Sequence, residues 1–197
     1  MSDPVVVGGA RDVRASLDTP DTDTDACVVA CPPHPRMGGH RGDRRLTAVS
    51  DALSPDIACL RFDYGAWDEG RGERTDAVRA VEWARERFAS VALFGYSFGG
   101  AVALLAAVET DVAAVSALAP AARLDGSLDA AAALAAIACP VQVVYGERDT
   151  TAEWEPVVER AREHDCEVVA MGADHHFVGQ GEKAAAHVAG FLRDHLG

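Results

Sequence analysis

The sequence predicts an α/β fold: a mostly parallel sheet, opened by an antiparallel hairpin and covered by helices on both faces. Three observations carry this expectation. After residue 25, short apolar runs alternate with longer helical patterns, the order that yields parallel strands joined by crossover helices. The run Ala26 to Ala30 is apolar without interruption, as a strand covered on both faces should be. Gly95-Tyr96-Ser97-Phe98-Gly99-Gly100 joins an apolar strand directly to an apolar helix, so a sharp turn carries a serine at its tip.

The elements follow in order. Val5-Val6-Val7, Gly8-Gly9 and Val13 to Leu17 read as the hairpin. Residues 19–25 are a polar, acidic turn before the strand 26–30. Residues 31–42 are dense in Pro, Gly and His and form a loop; 43–53 is compatible with a helix, and 57–62 is the next strand. An irregular stretch, 63–72, precedes a long helix over 73–88, whose apolar side is Val78, Val81, Trp83, Ala84 and Phe88. The strand 91–94 and the helix 98–109 flank the serine, and that helix is apolar almost all round, which requires burial. Strands over 112–118, 141–145 and 167–171 and helices over 153–164 and 181–196 complete the chain. Residues 121–139 are too few for a large lid, so an open site is expected.

The chain has 197 residues, enough for one domain over 1–197 with a substantial core. Its formal net charge is −13, and Lys183 is its one lysine. Such a surface disfavours nucleic acid and anionic membranes, because phosphate contacts need cations. It suits a protein kept soluble in concentrated salt, where self-repulsion is screened. A halophilic source is therefore a hypothesis, and full stability in dilute buffer during a salt titration would count against it. Cysteines 27, 31, 59, 139 and 166 are odd in number and lie in or beside apolar segments. They are read as buried free thiols in a reducing cytoplasm. Met1-Ser2-Asp3-Pro4 has no basic, signal-like character. No window approaches the ~20 apolar residues that span a bilayer. Oligomeric state is not legible.

The chemistry begins at Ser97. A G-x-S-x-G between strand and helix is a nucleophile elbow. Its strained turn projects the hydroxyl, glycines avoid collisions two residues either side, and the helix directs its first amides at developing negative charge. A serine nucleophile needs a base, and the base needs an acid to orient it. Gly146-Glu147-Arg148-Asp149 follows the strand 141–145, and Gly172-Ala173-Asp174-His175-His176-Phe177 follows the strand 167–171. In a parallel sheet these loops lie at the same carboxyl edge as Ser97. Asp149 is the expected acid, with Asp125 and Asp129 as rivals, and the base is one of the adjacent His175 and His176. Two backbone amides should cradle the oxyanion. One is that of Phe98. The other comes from the loop Cys31-Pro32-Pro33-His34-Pro35, whose first amide beyond the prolines is that of His34.

These motifs, with His34-Pro35-Arg36-Met37-Gly38-Gly39, make the chain resemble an α/β-hydrolase of the small, lidless, esterase-like group related to dienelactone hydrolases. The resemblance covers nearly the full length. It implies Ser97 as nucleophile, Asp149 as orienting acid and His175 as base, with His176 in the place of a bulky aromatic. It also implies His34 as the second oxyanion donor, with Met37 the alternative. Dienelactone hydrolases proper use a cysteine as nucleophile, whereas this chain has Ser97. Met37, Tyr64, Trp67 and His176 are candidates for the pocket wall. No metal is expected: Cys27 and Cys31, four apart on a strand, stand ~13 Å apart, too far for one zinc. The expected activity is cofactor-free hydrolysis of a small carboxylic ester or thioester through an acyl-enzyme. The alternatives are an acyltransferase and a hydrolase-fold module that binds a ligand or protein without turnover.

Overall fold

A computed structural model describes residues 2–9, 11 and 13–197. Eight strands form one sheet in the order β1-β2-β4-β3-β5-β6-β7-β8. They are β1 (Ser2–Val7), β2 (Val13–Asp18), β3 (Ala26–Cys31), β4 (Ala58–Phe62), β5 (Ser90–Tyr96), β6 (Val115–Leu118), β7 (Val141–Gly146) and β8 (Glu167–Met171). β2 runs antiparallel to β1 and β4, and every other pairing is parallel. The helices are α1 (Arg44–Leu53), α2 (Arg71–Arg85), α3 (Phe98–Ala107), α4 (Ala130–Ala133), α5 (Glu155–Glu163) and α6 (Gly181–Leu196). This is the α/β-hydrolase fold. Between β6 and β7 there is only α4 and one 3-10 turn, Leu134–Ala136, so no lid covers the carboxyl edge.

Alternation along each strand sorts the core into two layers. Cys27, Val29 and Cys31 of β3 and Val91 and Leu93 of β5 pack toward α2, α3 and α5. Val28 and Ala30 of β3 and Ala92, Phe94 and Tyr96 of β5 pack toward α1 and α6. Both faces of these central strands are buried, which is why they read as unbroken apolar runs. All ten residues of α3 are buried, as its all-round apolar character requires.

Several boundaries differ from the sequence reading. β6 begins at Val115 rather than 112. α2 begins at Arg71 because Glu73 caps it from within: its carboxylate accepts from the amides of Asp68 (3.0 Å) and Gly70 (2.8 Å). Cys27, Cys31 and Cys59 are buried, but Cys139 and Cys166 are only half-buried, a correction to the expectation for all five. Cys139 and Cys166 stand just before β7 and β8, near the outer edge of the sheet, where fewer elements cover them. Burial pushes the Cys59 thiol up to about 12, so it packs as a neutral apolar group. Among the described residues no helix is long and apolar enough to cross a membrane.

Candidate active site

The turn between β5 and α3 places Ser97 at φ 57° and ψ −119°, a left-handed conformation that costs a non-glycine residue ~1–3 kcal/mol. The flanking glycines have separate reasons. A Cβ on Gly95 would lie 2.0 Å from the carbonyl oxygen of Gly99, and one on Gly99 would lie 2.2 Å from that of Cys31. The elbow is therefore pressed against its own helix and against the loop that leaves β3. Ser97→Gly is expected to abolish activity yet stabilise the fold by about 1 kcal/mol, the released strain exceeding the extra chain entropy of glycine. Urea unfolding of the two proteins checks it.

The loop after β7 delivers Asp149. The Asp149 carboxylate is fully buried. One oxygen accepts from the amides of Thr151 (2.8 Å) and Ala152 (3.1 Å); the other lies 2.6 Å from His175 Nδ1. His175 Nε2 in turn lies 3.0 Å from Ser97 Oγ. The loops carrying Asp149 and His175 are laced together: the amide of Glu147 donates to the carbonyl of Met171 (2.8 Å) and that of Arg148 to the carbonyl of Ala173 (3.0 Å). This approach needs Gly146, where a Cβ would meet the Ala173 carbonyl oxygen at 2.6 Å. A carboxylate so bonded fixes the imidazole with Nδ1 protonated and Nε2 free to accept from the serine.

Of the two adjacent histidines, only His175 reaches Ser97. His176 is exposed, with Nδ1 3.4 Å from the Tyr96 hydroxyl. Asp125 and Asp129 are occupied elsewhere. Asp125 accepts from Ser127 and Leu128 and pairs with Arg71 (2.7 Å); Asp129 caps α4 and pairs with Arg123 (2.7 Å).

The loop after β3 runs past Ser97. His34 caps the 3-10 turn Pro35–Met37, its Nδ1 accepting from the Arg36 amide (3.2 Å). Burial and the neighbouring Arg36 hold its imidazole pKa below the ordinary value. The backbone amides of His34 and Phe98 have no protein acceptor among the described residues. A cavity of about 170 Å³ lies over Ser97, lined by His34, Met37, Tyr96, Thr151, His175 and His176 among others. Met37 stands at its rim, 81% exposed.

Tyr64 and Trp67 do not line this cavity. Instead they brace the loop from behind. Tyr64 donates to the Pro32 carbonyl (3.1 Å) and meets Phe98 edge-on at 5.8 Å; Trp67 stacks on His34 at 4.6 Å. The proline-rich loop has carbonyls without backbone donors nearby, and the phenol satisfies one of them.

Sequence reasoning missed two contributors. Tyr96, the variable residue of the elbow, is buried and donates to the His175 carbonyl at 3.0 Å, tying the base loop to the elbow. Arg45 stacks over the Tyr96 ring at 4.4 Å while pairing with Asp43 at 2.8 Å. An aromatic between Gly95 and Ser97 is the one signal that could have found the first. Burial raises the Tyr96 pKa from 10.0 to about 12, against the pull of Arg45. The unfolded chain sheds this proton first, so the contribution is intact below pH 10 and is lost as pH rises to about 12. Urea unfolding at intervals between these values should show that fall, and Tyr96→Phe should flatten it.

The comparisons with known proteins bear on this arrangement. The dienelactone hydrolase family matches residues 61–189, well over half of the chain. The chain belongs to the dienelactone hydrolase family. No curated protein matches it in sequence. Solved structures share its fold over almost the whole length. An α/β serine hydrolase homologue from Coxiella burnetii superposes with a TM-score of 0.84 at 23% identity, covering 96% of this chain and 97% of the other. An α/β serine hydrolase without a lid, from Xanthomonas campestris, gives 0.85 at 23%, covering 99% and 95%. A dienelactone hydrolase from Anabaena variabilis gives 0.81 at 21%, covering 100% and 99%. At these identities the likeness is one of fold. Within the family this member carries Ser97 at the elbow. Among the described residues no group of three or more His, Cys, Asp or Glu side chains is placed to hold a metal ion.

Proposed function

We propose that this protein is a cofactor-free serine hydrolase that cleaves a small carboxylic ester or thioester through an acyl-enzyme. The observation that carries the reading is the unbroken line from the buried Asp149 carboxylate through His175 to the Ser97 hydroxyl, at 2.6 and 3.0 Å, ending in an open cavity.

Ser97 Oγ attacks the acyl carbon and passes its proton to His175 Nε2. The carbonyl oxygen takes up the charge and is held by the amides of His34 and Phe98 at the start of α3. The bond to the leaving oxygen or sulfur breaks as His175 returns the proton to it. Water then attacks the acyl-serine, His175 takes the water's proton and gives it back to Ser97 Oγ, and the acid departs. Asp149 keeps Nδ1–H in place and stabilises the transient imidazolium. Met37 and His176 form the near wall, while Tyr64 and Trp67 hold the oxyanion loop. The acidic, lysine-poor composition and the free cysteines support a working place in the reducing cytoplasm of a halophile.

A fluorophosphonate probe tests the reading. The folded protein should be labelled at Ser97, and prior treatment should block ester turnover. Folded protein that takes up no label would favour a module that binds without turnover.

A further inference from the structure

A second cavity of about 590 Å³ adjoins the one over Ser97 and shares Arg45 and His176 with it. It is lined by Arg44, Arg45 and residues 176–179 and 181, with no acidic side chain among them. On a chain of net charge −13 that composition is out of character. The Arg44 guanidinium has no partner among the described residues. Arg45 is 17% exposed; its charge is partly met by Asp43, yet its buried Nε has no partner. Phe177 and Val178 supply an apolar floor and wall, and Val178 is 75% exposed.

The chemistry of acyl transfer says which half of a substrate lies here. The leaving atom must come within hydrogen-bond reach of His175 Nε2 to receive its proton. The leaving group therefore departs along the histidine side of the site, where residues 176–179 follow the base directly. The acyl half takes the space over Ser97. At ~30 Å³ per water, that space holds roughly six waters' worth of volume, enough for a short acyl chain only.

We propose that the larger cavity is the leaving-group subsite and that the preferred substrate is a short-chain ester of an alcohol bearing a phosphate. The alcohol's carbon chain lies on Phe177 and Val178, and its phosphate meets the Arg44 guanidinium with that of Arg45 beside it. A phosphate, with close to two negative charges and three oxygens, suits two neighbouring guanidiniums better than a singly charged carboxylate. The inference rests on the serine-hydrolase reading and names the substrate class of that same site.

The test compares substrates of matched length. 4-Acetoxybutyl phosphate should exceed its neutral analogue, 4-acetoxybutyl methyl ether, by about tenfold or more in kcat/KM, since charge-assisted contacts outweigh neutral ones. Arg44→Gln should erase that advantage, bringing kcat/KM for the phosphate down to that of the ether. Ethyl 6-phosphonooxyhexanoate, with the phosphate on the acyl half, should be the poorer substrate. Equal rates for phosphate and ether, or preference for the hexanoate, would overturn the assignment. Equal acceptance of 5-acetoxypentanoate would overturn the choice of phosphate. Should p-nitrophenyl acetate itself not be hydrolysed, the catalytic reading fails separately. Calorimetry with butyl phosphate then decides: binding that Arg44→Gln abolishes upholds the subsite, and no binding to the wild type overturns it.

Discussion

His175→Ala is expected to lower kcat for p-nitrophenyl acetate by about ten-thousand-fold or more, whereas His176→Ala should stay within about threefold. The asymmetry comes from geometry. The His175 ring is clamped from three sides: Asp149 on Nδ1, Ser97 on Nε2, and the Tyr96 hydroxyl on the backbone carbonyl behind it. His176 stands at right angles to it, 5.3 Å away between ring centres, with its own Nδ1 turned to Tyr96. It has no path to the nucleophile unless the loop unravels, and the backbone bonds that lace this loop to the one after β7 oppose that. Circular dichroism and urea unfolding of both variants separate a catalytic loss from a folding loss. A large kcat loss in His176→Ala with His175→Ala near wild type would reverse the assignment.

Gly99→Ala should cost about 3 kcal/mol of stability, or roughly 6–12 °C in Tm. The added carbon would lie 2.2 Å from the Cys31 carbonyl oxygen and 2.4 Å from that of Pro32. Both are backbone atoms, so no side chain can swing away to make room. The remaining escape is to push out the loop that carries His34, which moves an oxyanion donor and lowers kcat as well. Gly126→Ala is the control, because nothing lies within 4 Å of its added carbon. It should change stability by less than about 0.5 kcal/mol. Thermal unfolding with an activity assay on each variant checks both effects.

Much of this molecule could be read from residue order because its physics is local. Gly95 and Gly99 around Ser97 announce a turn too tight for side chains, and the apolar runs on either side announce strand and buried helix. Gly146 and Gly172 open the loops that bring Asp149 and His175 to the same sheet edge, a consequence of parallel strands rather than of any one residue. What was not legible depends on direction and distance. Tyr64 and Trp67 are aromatics in the irregular stretch that follows the strand 57–62, which makes them candidates for the pocket wall. Their rings instead turn toward the back of the oxyanion loop, drawn by the Pro32 carbonyl and the face of His34. Arg45 shows the same limit. Its sequence neighbours suggest a surface charge at a helix start, yet it lies over Tyr96 and links two cavities. The early start of α2 depends on Glu73 folding back on Gly70, a contact set by side-chain direction as well as by the three-residue spacing.

The central claim is that Ser97 becomes covalently acylated with His175 as its base. Mixing the protein with excess p-nitrophenyl acetate and quenching in acid within milliseconds tests it directly. The expected result is a burst of p-nitrophenol equal to the protein concentration, with the acetyl group found by mass spectrometry on Ser97 alone and absent from His175→Ala. Turnover with acetate never found on Ser97, or a burst that survives Ser97→Ala, would contradict it.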